Sequence, residues 1–450
     1  MKKKYFGTDG IRGRANSSKM NADLALKIGI ASAELFTRGE YLHNVLIGKD
    51  TRLSNYTIEP SLTAGFLSMG MNVYLTGPLP TPGVAALVSS MRCDVGVMIS
   101  ASHNEYVDNG IKIFGPDGMK LSDMQELKLE ELIDKDNKNL VTSEKLGRAK
   151  RIDDAGGRYI EYLKSKIPFS LKLDGIKIVI DCANGAAYKV APTILWELGA
   201  TVYPINIDPN GTNVNKNSGS AHPEKIAQKV KSLKADIGIA LDGDADRCTI
   251  VDENGNIVNG DLILAIISSD WKEKGKLSKK TVVGTVMSNS AFETYLKELG
   301  ISFVRTAVGD RNIIAKMQEK KYVLGGEPSG HIILGQYSST GDGILASLEI
   351  LGIMKEKNKK LSELSNLFIP YPQILEDYKI NNKYNGNILS IAKNKIDELK
   401  KEAHGKCRLI IRKSGTESKI RIMAEAKNIN QAKKATAAAL KILKSFQNEK

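Results

Sequence analysis

The chain has 450 residues, 42% apolar and 26% charged, a length that calls for several hydrophobic cores and a composition too rich in core formers for a disordered protein. No apolar run approaches the ~20 residues of a membrane helix, and the basic opening MKKKYFGTDG lacks the apolar segment of a secretory leader. Cys93, Cys182, Cys248 and Cys407 stand far apart, with no C-x-x-C pair and mostly within or beside strand-like apolar runs, which suggests neither a zinc site nor a disulfide frame; a cytoplasmic protein with free, buried thiols and no membrane contact is expected.

From the N-terminus onward, short apolar runs alternate with amphipathic stretches. Strand-like runs are Val45–Gly48, Asn72–Gly77, Val95–Ser100, Lys177–Asp181, Thr201–Ile207, Ile237–Leu241, Thr281–Val286, Ile301–Thr306 and Tyr322–Leu324. Helical periodicity marks Ala22–Phe36, Glu59–Met69, Pro82–Met91, Ala187–Leu198, Glu224–Leu233, Asp261–Glu273, Ala291–Leu299, Arg311–Lys320 and Gly343–Lys355. This alternation predicts α/β units with largely parallel sheets, because parallel neighbours need a crossover between them.

The polar stretch Asp134–Arg151 separates the first unit from a second, which opens near the helical pattern Arg158–Lys166. Asn254-Gly255, between two β-like runs, predicts a hairpin at the start of a third unit. Beyond Pro370 and Pro372, two helical patterns flank the β-rich stretch Arg408–Ala424. The expected division is 1–154, 155–255 and 256–370 for three α/β domains, and 371–450 for a smaller α+β domain.

Net charge is +14, and residues 371–450 hold 18 Lys and Arg against 8 Asp and Glu. Many of these lysines fall on helix patterns, Ile391–Lys401 and Gln431–Lys444, without interleaved aromatics. They read as solvated helix faces beside an anionic small-molecule site rather than as a nucleic-acid surface.

Ser102 lies in the polar loop Ala101–Gly110, at the carboxyl end of a strand-like run, where ligands bind in open α/β sheets. A serine hydroxyl needs a base or a cation beside it to act as a nucleophile, and His103 and Lys112 are candidates. The same loop also reads as a surface turn rich in Asx hydrogen bonds. Asp242, Asp244 and Asp246 alternate just past Ile237–Leu241. Such carboxylates repel one another unless a cation neutralises them, and oxygen-only ligands suit a hard ion such as Mg2+. The spacing is not that of an EF-hand, and the other reading is an acidic turn balanced in part by Arg247.

Glu327 and Ser329, within Gly325–His331, offer hydrogen bonds to ligand hydroxyls in a loop whose glycines admit close approach; a plain glycine turn is the alternative. Arg412, Ser414, Gly415 and Thr416, with Arg421 in the next run, combine arginine forks, hydroxyls and freed backbone N–H groups, the parts of a phosphate site. Without a ligand that stretch is a basic hairpin. Arg12 in FGTDGIRG, and Gly309 and Asp310 in Val308–Arg311, complete the candidates, against the reading of simple glycine turns.

Taken in order, FGTDGIRG, SASHNEYVDNGIKIF, DGDADR, GGEPSGH and RKSGTES resemble the loops of the α-D-phosphohexomutase superfamily, and the resemblance runs from Tyr5 into the last helix pattern. It implies three similar α/β domains with mixed or parallel sheets and a smaller α+β C-terminal domain, around a central cleft. It further implies an isomerase with Ser102 as the phosphorylated serine. Mg2+ would be held by Asp242, Asp244, Asp246 and a phosphate oxygen on Ser102. Glu327 and Ser329 would hold sugar hydroxyls, with Arg247, Gly309 and Asp310 also in the substrate site. Arg412, Ser414, Gly415, Thr416 and Arg421 would grip the non-reacting phosphate. Lys112, His103, Arg12 and His331 would assist proton transfer or stabilise charge, with Lys112 placed first as general base.

FGTDGIRG and the stretch GTVMSN at 284–289 favour the branch that acts on glucosamine phosphates. Pro328, Ser418 and Glu105 depart from its usual residues. That branch would interconvert glucosamine 6-phosphate and glucosamine 1-phosphate through a hexosamine 1,6-bisphosphate, feeding UDP-N-acetylglucosamine and cell-wall precursor synthesis. The alternatives are a mutase of the same superfamily acting on mannose or glucose phosphates, and a non-catalytic sugar-phosphate or nucleic-acid binder. The expected partners are small sugar phosphates, in a monomer or homodimer, with no nucleic acid.

Overall fold

The computed structural model describes residues 3–7, 9–135, 139–380, 388–413 and 419–448. The chain divides into two compact units: Met1–Met287 with Leu296–Leu367, and Ser288–Tyr295 with Phe368–Lys450.

The larger unit contains three mixed sheets. In the first, the strands run in the order Ile11–Arg14, Asp108–Phe114, Val95–Ile99, Asn44–Lys49, Asn72–Pro78, Ala149–Arg151. In the second the order is Ile257–Val258, Cys248–Asp252, Ile237–Leu241, Lys177–Asp181, Thr201–Ile205, and in the third Ser302–Thr306, Thr281–Thr285, Leu324–Gly326, Ile332–Leu334. Val95–Ile99 and Ile237–Leu241 are buried along their whole length, as the unbroken apolar runs VGVMI and IGIAL require of strands covered on both faces.

The three sheets repeat one device. A parallel strand ends, a polar loop follows, and the chain returns as an antiparallel neighbour: Val95–Ile99 to Asp108–Phe114, Ile237–Leu241 to Cys248–Asp252, Leu324–Gly326 to Ile332–Leu334. Each polar loop therefore hangs from the carboxyl end of a parallel strand, anchored on both sides by ladder hydrogen bonds.

Helices cover these sheets. Asn21 caps Ala22–Phe36 by accepting from the Leu24 N–H at 2.9 Å, and the helix packs across Asn55–Ser68 where Gly29 and Gly65 meet. A Cβ on Gly65 would stand 2.5 Å from the Leu26 carbonyl oxygen, so only glycine admits this approach. Beneath them lies a core that includes Ile28, Leu62, Phe66, Val45, Val73 and Val97.

Four local expectations change. Asn55–Ser68 begins a turn before the expected Glu59, carrying Pro60 inside it as its sixth residue, where the missing N–H forgoes one i→i−4 hydrogen bond that packing of the helix must offset. Part of the polar stretch 134–151 is a strand, Ala149–Arg151, on the exposed edge of the first sheet. The Asn254-Gly255 hairpin closes the second sheet, with Ile250 opposite Val258, rather than opening the third. Tyr322 and Val323 precede the strand Leu324–Gly326, whose Gly325 leaves room for Ile313 and Met317. All four cysteines are unpaired thiols; Cys93, Cys182 and Cys248 are buried and Cys407 is half-buried. Among the described residues no helix is long and apolar enough to cross a membrane.

The smaller unit is α+β. Its antiparallel sheet has Lys419–Glu425 between Gln373–Lys379 and Arg408–Lys413, with helices Lys393–Ala403 and Ile429–Asn448. Ile420, Ile422, Ala424, Ala432, Ala439 and Leu443 form the centre of its core. Buried Glu425 ties the segment 288–295 to this sheet. It accepts from Arg408 at 2.9 and 2.8 Å, from the Ser290 hydroxyl at 2.5 Å and from Gln373 at 2.7 Å. Burial opposes its charge, but Arg408 and Ser290 outweigh that and lower its pKa. A depressed carboxyl stabilises the fold fully above the ordinary glutamate value of 4.5 and loses that contribution as pH falls through the folded value. In urea unfolding of the full chain, Glu425→Gln should cost on the order of 1–3 kcal/mol at pH 7, and the gap from the unsubstituted protein should close as pH drops below that range.

Candidate active site

The loop after Val95–Ile99 places Ser102 fully buried, with a left-handed φ of +52° that few non-glycine residues adopt. Its hydroxyl donates to Asp242 Oδ2 at 2.6 Å. The Asp242 loop comes from the equivalent position in the second sheet, and the two loops meet tightly. A Cβ on Gly243 would lie 2.7 Å from the Ser102 carbonyl oxygen.

Asp242, Asp244 and Asp246 are all buried and each offers an oxygen, these atoms lying within 4.8 Å of one another. Lys112, on the returning strand Asp108–Phe114, reaches into the group: its ammonium stands 2.8 Å from Asp244, 3.0 Å from Asp246 and 3.2 Å from Asp9. Thr81 donates to Asp244 Oδ2 at 2.5 Å. Burial and the neighbouring Asp246 and Asp244 push the Asp242 carboxyl well above the usual range. Burial also opposes ionisation of Asp246, but Lys112 reverses this and holds it well below. The triad is thus an unequal set of like charges, and an added cation would remove the inequality. Among the described residues, buried Asp244 Oδ1 and Asp246 Oδ1 have no hydrogen-bond partner, the nearest cationic atoms to Asp246 Oδ1 being His331 Nδ1 at 3.7 Å and Arg247 Nε at 3.9 Å. Orphaned carboxylate oxygens in an all-oxygen cluster fit a hard divalent ion.

Burial disfavours a charge on Lys112, yet Asp244, Asp246 and Asp9 outweigh it and raise its pKa well above the ordinary value. Lys112 thus sits between the triad and Asp9, where it neutralises their charge. Asp9, itself held well below the usual range against burial by Lys112, Lys120 and Arg12, pairs with Arg12 and with Lys120 at 2.5 Å.

His331 is buried, its Nδ1 3.7 Å from Asp246 and its Nε2 3.8 Å from Asp310. Burial works against its charge, and Asp246 and Asp310 raise its pKa in spite of that. His103 is exposed on the same loop as Ser102; desolvation by the neighbouring loops on its inner side, and then the cations Arg247 and Arg12, lower its pKa. Arg247 follows the triad, its N–H donating to Asp242 Oδ1 at 3.2 Å. Asp310 starts the helix Asp310–Lys320 and pairs with Lys120. Glu327 accepts from the Gly309 N–H at 3.0 Å and from Ser329 Oγ at 3.4 Å.

The larger unit thus gathers Arg12, Ser102, Lys112, the three aspartates, Arg247 and His331 into one charged network, with Asp310 linked through Lys120 and His331. In the smaller unit, Arg412 and Arg421 lie directly opposite on adjacent antiparallel strands, with Asp377 opposite Arg421 on its other side and Asp377 Oδ1 3.9 Å from Arg421 Nε. Ser414, Gly415 and Thr416 lie outside the described residues, as does Ser418.

Four residues beyond the sequence reading belong to this site: Arg52, Thr81, Lys120 and Asn215. Arg52 follows the strand Asn44–Lys49, and Asn215 lies in the loop after Thr201–Ile205. The rule that ligand loops leave the carboxyl ends of parallel strands points to both segments.

Four family models match the chain in order: phosphoglucomutase/phosphomannomutase alpha/beta/alpha domain I at residues 3–140, domain II at 157–255, domain III at 259–371 and the C-terminal domain at 372–442. A phosphoglucosamine mutase of Parvibaculum lavamentivorans is 53% identical over 94% of this chain and 95% of its own length. A phosphoglucomutase/phosphomannomutase family protein of Burkholderia thailandensis has the same fold, with a TM-score of 0.81 at 23% identity over 99% of this chain and 98% of that one. An Aspergillus fumigatus N-acetylphosphoglucosamine mutase, solved with GlcNAc-6P and magnesium, superposes with a TM-score of 0.66 at 18% identity over 99% of this chain and 96% of that one. Four domain matches in sequence order and a relative this similar over nearly the whole length make the chain a phosphohexomutase, an isomerase, and a member of the phosphoglucomutase/phosphomannomutase family.

Proposed function

We propose that this phosphohexomutase interconverts glucosamine 6-phosphate and glucosamine 1-phosphate, with Ser102 as its phosphoryl carrier. The observation that carries the reading is the buried Ser102 hydroxyl, 2.6 Å from Asp242 and beside a carboxylate triad with orphaned oxygens. The choice of glucosamine rests on the relative named phosphoglucosamine mutase and on the FGTDGIRG and GTVMSN stretches.

Asp242, Asp244 and Asp246, with a phosphate oxygen on Ser102, would hold Mg2+, which when bound supplies charge neutralisation at the transferring group. Phospho-Ser102 gives its phosphoryl to O1 of glucosamine 6-phosphate. The P–Oγ bond breaks, a P–O1 bond forms, and the O1 proton ends on Oγ. The resulting 1,6-bisphosphate turns about, Oγ attacks the phosphorus on O6, and the proton returns to O6 as glucosamine 1-phosphate leaves. Lys112 donates to the oxygen on which charge develops; Arg12, His331 and His103 serve proton transfer and charge balance around it. Arg247, Gly309 and Asp310 shape the sugar site, where Glu327 and Ser329 hold hydroxyls in either orientation. Arg412, Ser414, Gly415, Thr416 and Arg421 grip the phosphate that does not react. Four thiols with no disulfide suit a reducing, cytoplasmic setting.

Turnover on the 6-phosphates of glucosamine, mannose and glucose should favour glucosamine, and a clear preference for mannose 6-phosphate overturns the sugar assignment. Ser102→Ala should lose turnover by at least about 10^3-fold while still binding glucosamine 6-phosphate in calorimetry; retained turnover would sink the mechanism. Titration with Mg2+ followed by calorimetry should show Asp246→Asn binding at least about tenfold more weakly than the unsubstituted chain.

A further inference from the structure

Two side chains from different sheets converge on the backbone of the Ser102 loop without reaching its hydroxyl. Arg52 is fully buried and spends all five guanidinium N–H donors. Nε meets Asp50 Oδ2 at 2.7 Å, Nη2 donates to the carbonyls of Ser102 at 2.9 Å and Asn104 at 2.7 Å, and Nη1 donates to those of Asp108 at 3.0 Å and of Glu105. Asn215, from the second sheet's loop and itself left-handed at φ +57°, turns its amide to the same two carbonyls, Ser102 at 2.7 Å and Asn104 at 2.9 Å.

A second chain of bonds fixes the other side of the peptide. The Ser102 N–H donates to Ser100 Oγ at 2.9 Å, and Ser100 Oγ donates to Asp50 Oδ2 at 2.6 Å, the oxygen that also holds Arg52. Asn55 holds the other Asp50 oxygen at 3.0 Å. The loop's polar backbone atoms are thus assigned on both faces of Ser102, and its carbonyl oxygens face Arg52 and Asn215. A buried ion pair is a costly way to stabilise a fold. Here all the donors of Arg52 but one are directed at the single loop that bears the nucleophile.

We propose that Arg52 and Asn215 are positioning residues for phosphoryl transfer: by holding the Ser102 and Asn104 carbonyls they fix the left-handed turn that aims Ser102 Oγ at Asp242. The inference rests on the reading of Ser102 as phosphoryl carrier. Small misplacements of a reacting atom cost about 10²-fold in rate, so the effect belongs to the transfer step and not to sugar affinity.

The test follows phosphate onto Ser102 by intact mass after dephosphorylated protein is mixed with Mg2+ and glucose 1,6-bisphosphate. Asn215→Ala removes the shared amide, and Arg52→Lys keeps the charge while losing the fork. Per folded molecule, transfer should slow about 10²-fold in both, with affinity for glucosamine 6-phosphate within about threefold of the unsubstituted chain, while the lost buried hydrogen bonds lower the unfolding midpoint. Wild-type transfer in either variant overturns the proposal. So does a rate that falls only in step with lost folded protein or lost sugar affinity. Absence of phosphate on Ser102 in the unsubstituted chain overturns the Ser102 reading and the positioning role together; normal phosphorylation there with unslowed variants overturns the positioning role alone.

Discussion

The larger unit is organised around one electrostatic problem: three aspartates, Asp242, Asp244 and Asp246, brought together where water cannot screen them, with half-buried Asp9 sharing their cation Lys112. Lys112 meets Asp9, Asp244 and Asp246, Arg12 and Lys120 meet Asp9, and His331 faces Asp246. Uncompensated charge of this density would be expelled from a protein interior or would neutralise itself by taking up protons. Cations delivered by the first sheet and its following loop make the cluster tolerable, so the first and second sheets are bound to each other by the same charges that define the site. The two orphaned oxygens mark where that compensation stops short.

The scaffold reaches this arrangement by repetition. In each of three sheets the polar loop lies between a parallel strand and its antiparallel return, so Ser102, the aspartate triad and Glu327 occupy the same address in three copies of one motif. Backbone hydrogen bonds on both flanks make such a loop more rigid than a surface turn of equal length. Rigidity matters here, because the Ser102 turn and Ala245 in the triad both adopt left-handed backbone angles that relax unless the surroundings impose them.

Much of this was legible in the residues. Central strands such as Ile237–Leu241 announce themselves as unbroken apolar runs, and three alternating aspartates just past one of them stand out as a concentration of like charge that some cation, side chain or ion, has to meet. Edge strands were harder. Ile11–Arg14, Ala149–Arg151 and Gln373–Lys379 carry polar or charged side chains toward solvent and become strands only because a neighbour offers a ladder. The helix around Pro60 hid its first turn behind a residue usually read as a breaker. Within the site, side chains that meet charge with charge could be guessed by type. Arg52 and Asn215 could not, since they act on carbonyl oxygens that every residue has; Lys120 likewise gains its meaning only from Asp9 and Asp310, which lie 111 and 190 positions away.

The threefold use of one strand, loop and return hairpin has a consequence for how such a protein can change over time. Each loop is suspended from its own pair of strands, and the loops meet through backbone: the Gly330 carbonyl accepts from the Cys248 N–H at 3.0 Å and the Pro328 carbonyl from the Gly260 N–H at 3.1 Å. Heritable change confined to a side chain, such as that of Glu327, can then vary one loop while these backbone bonds hold the frames of the others.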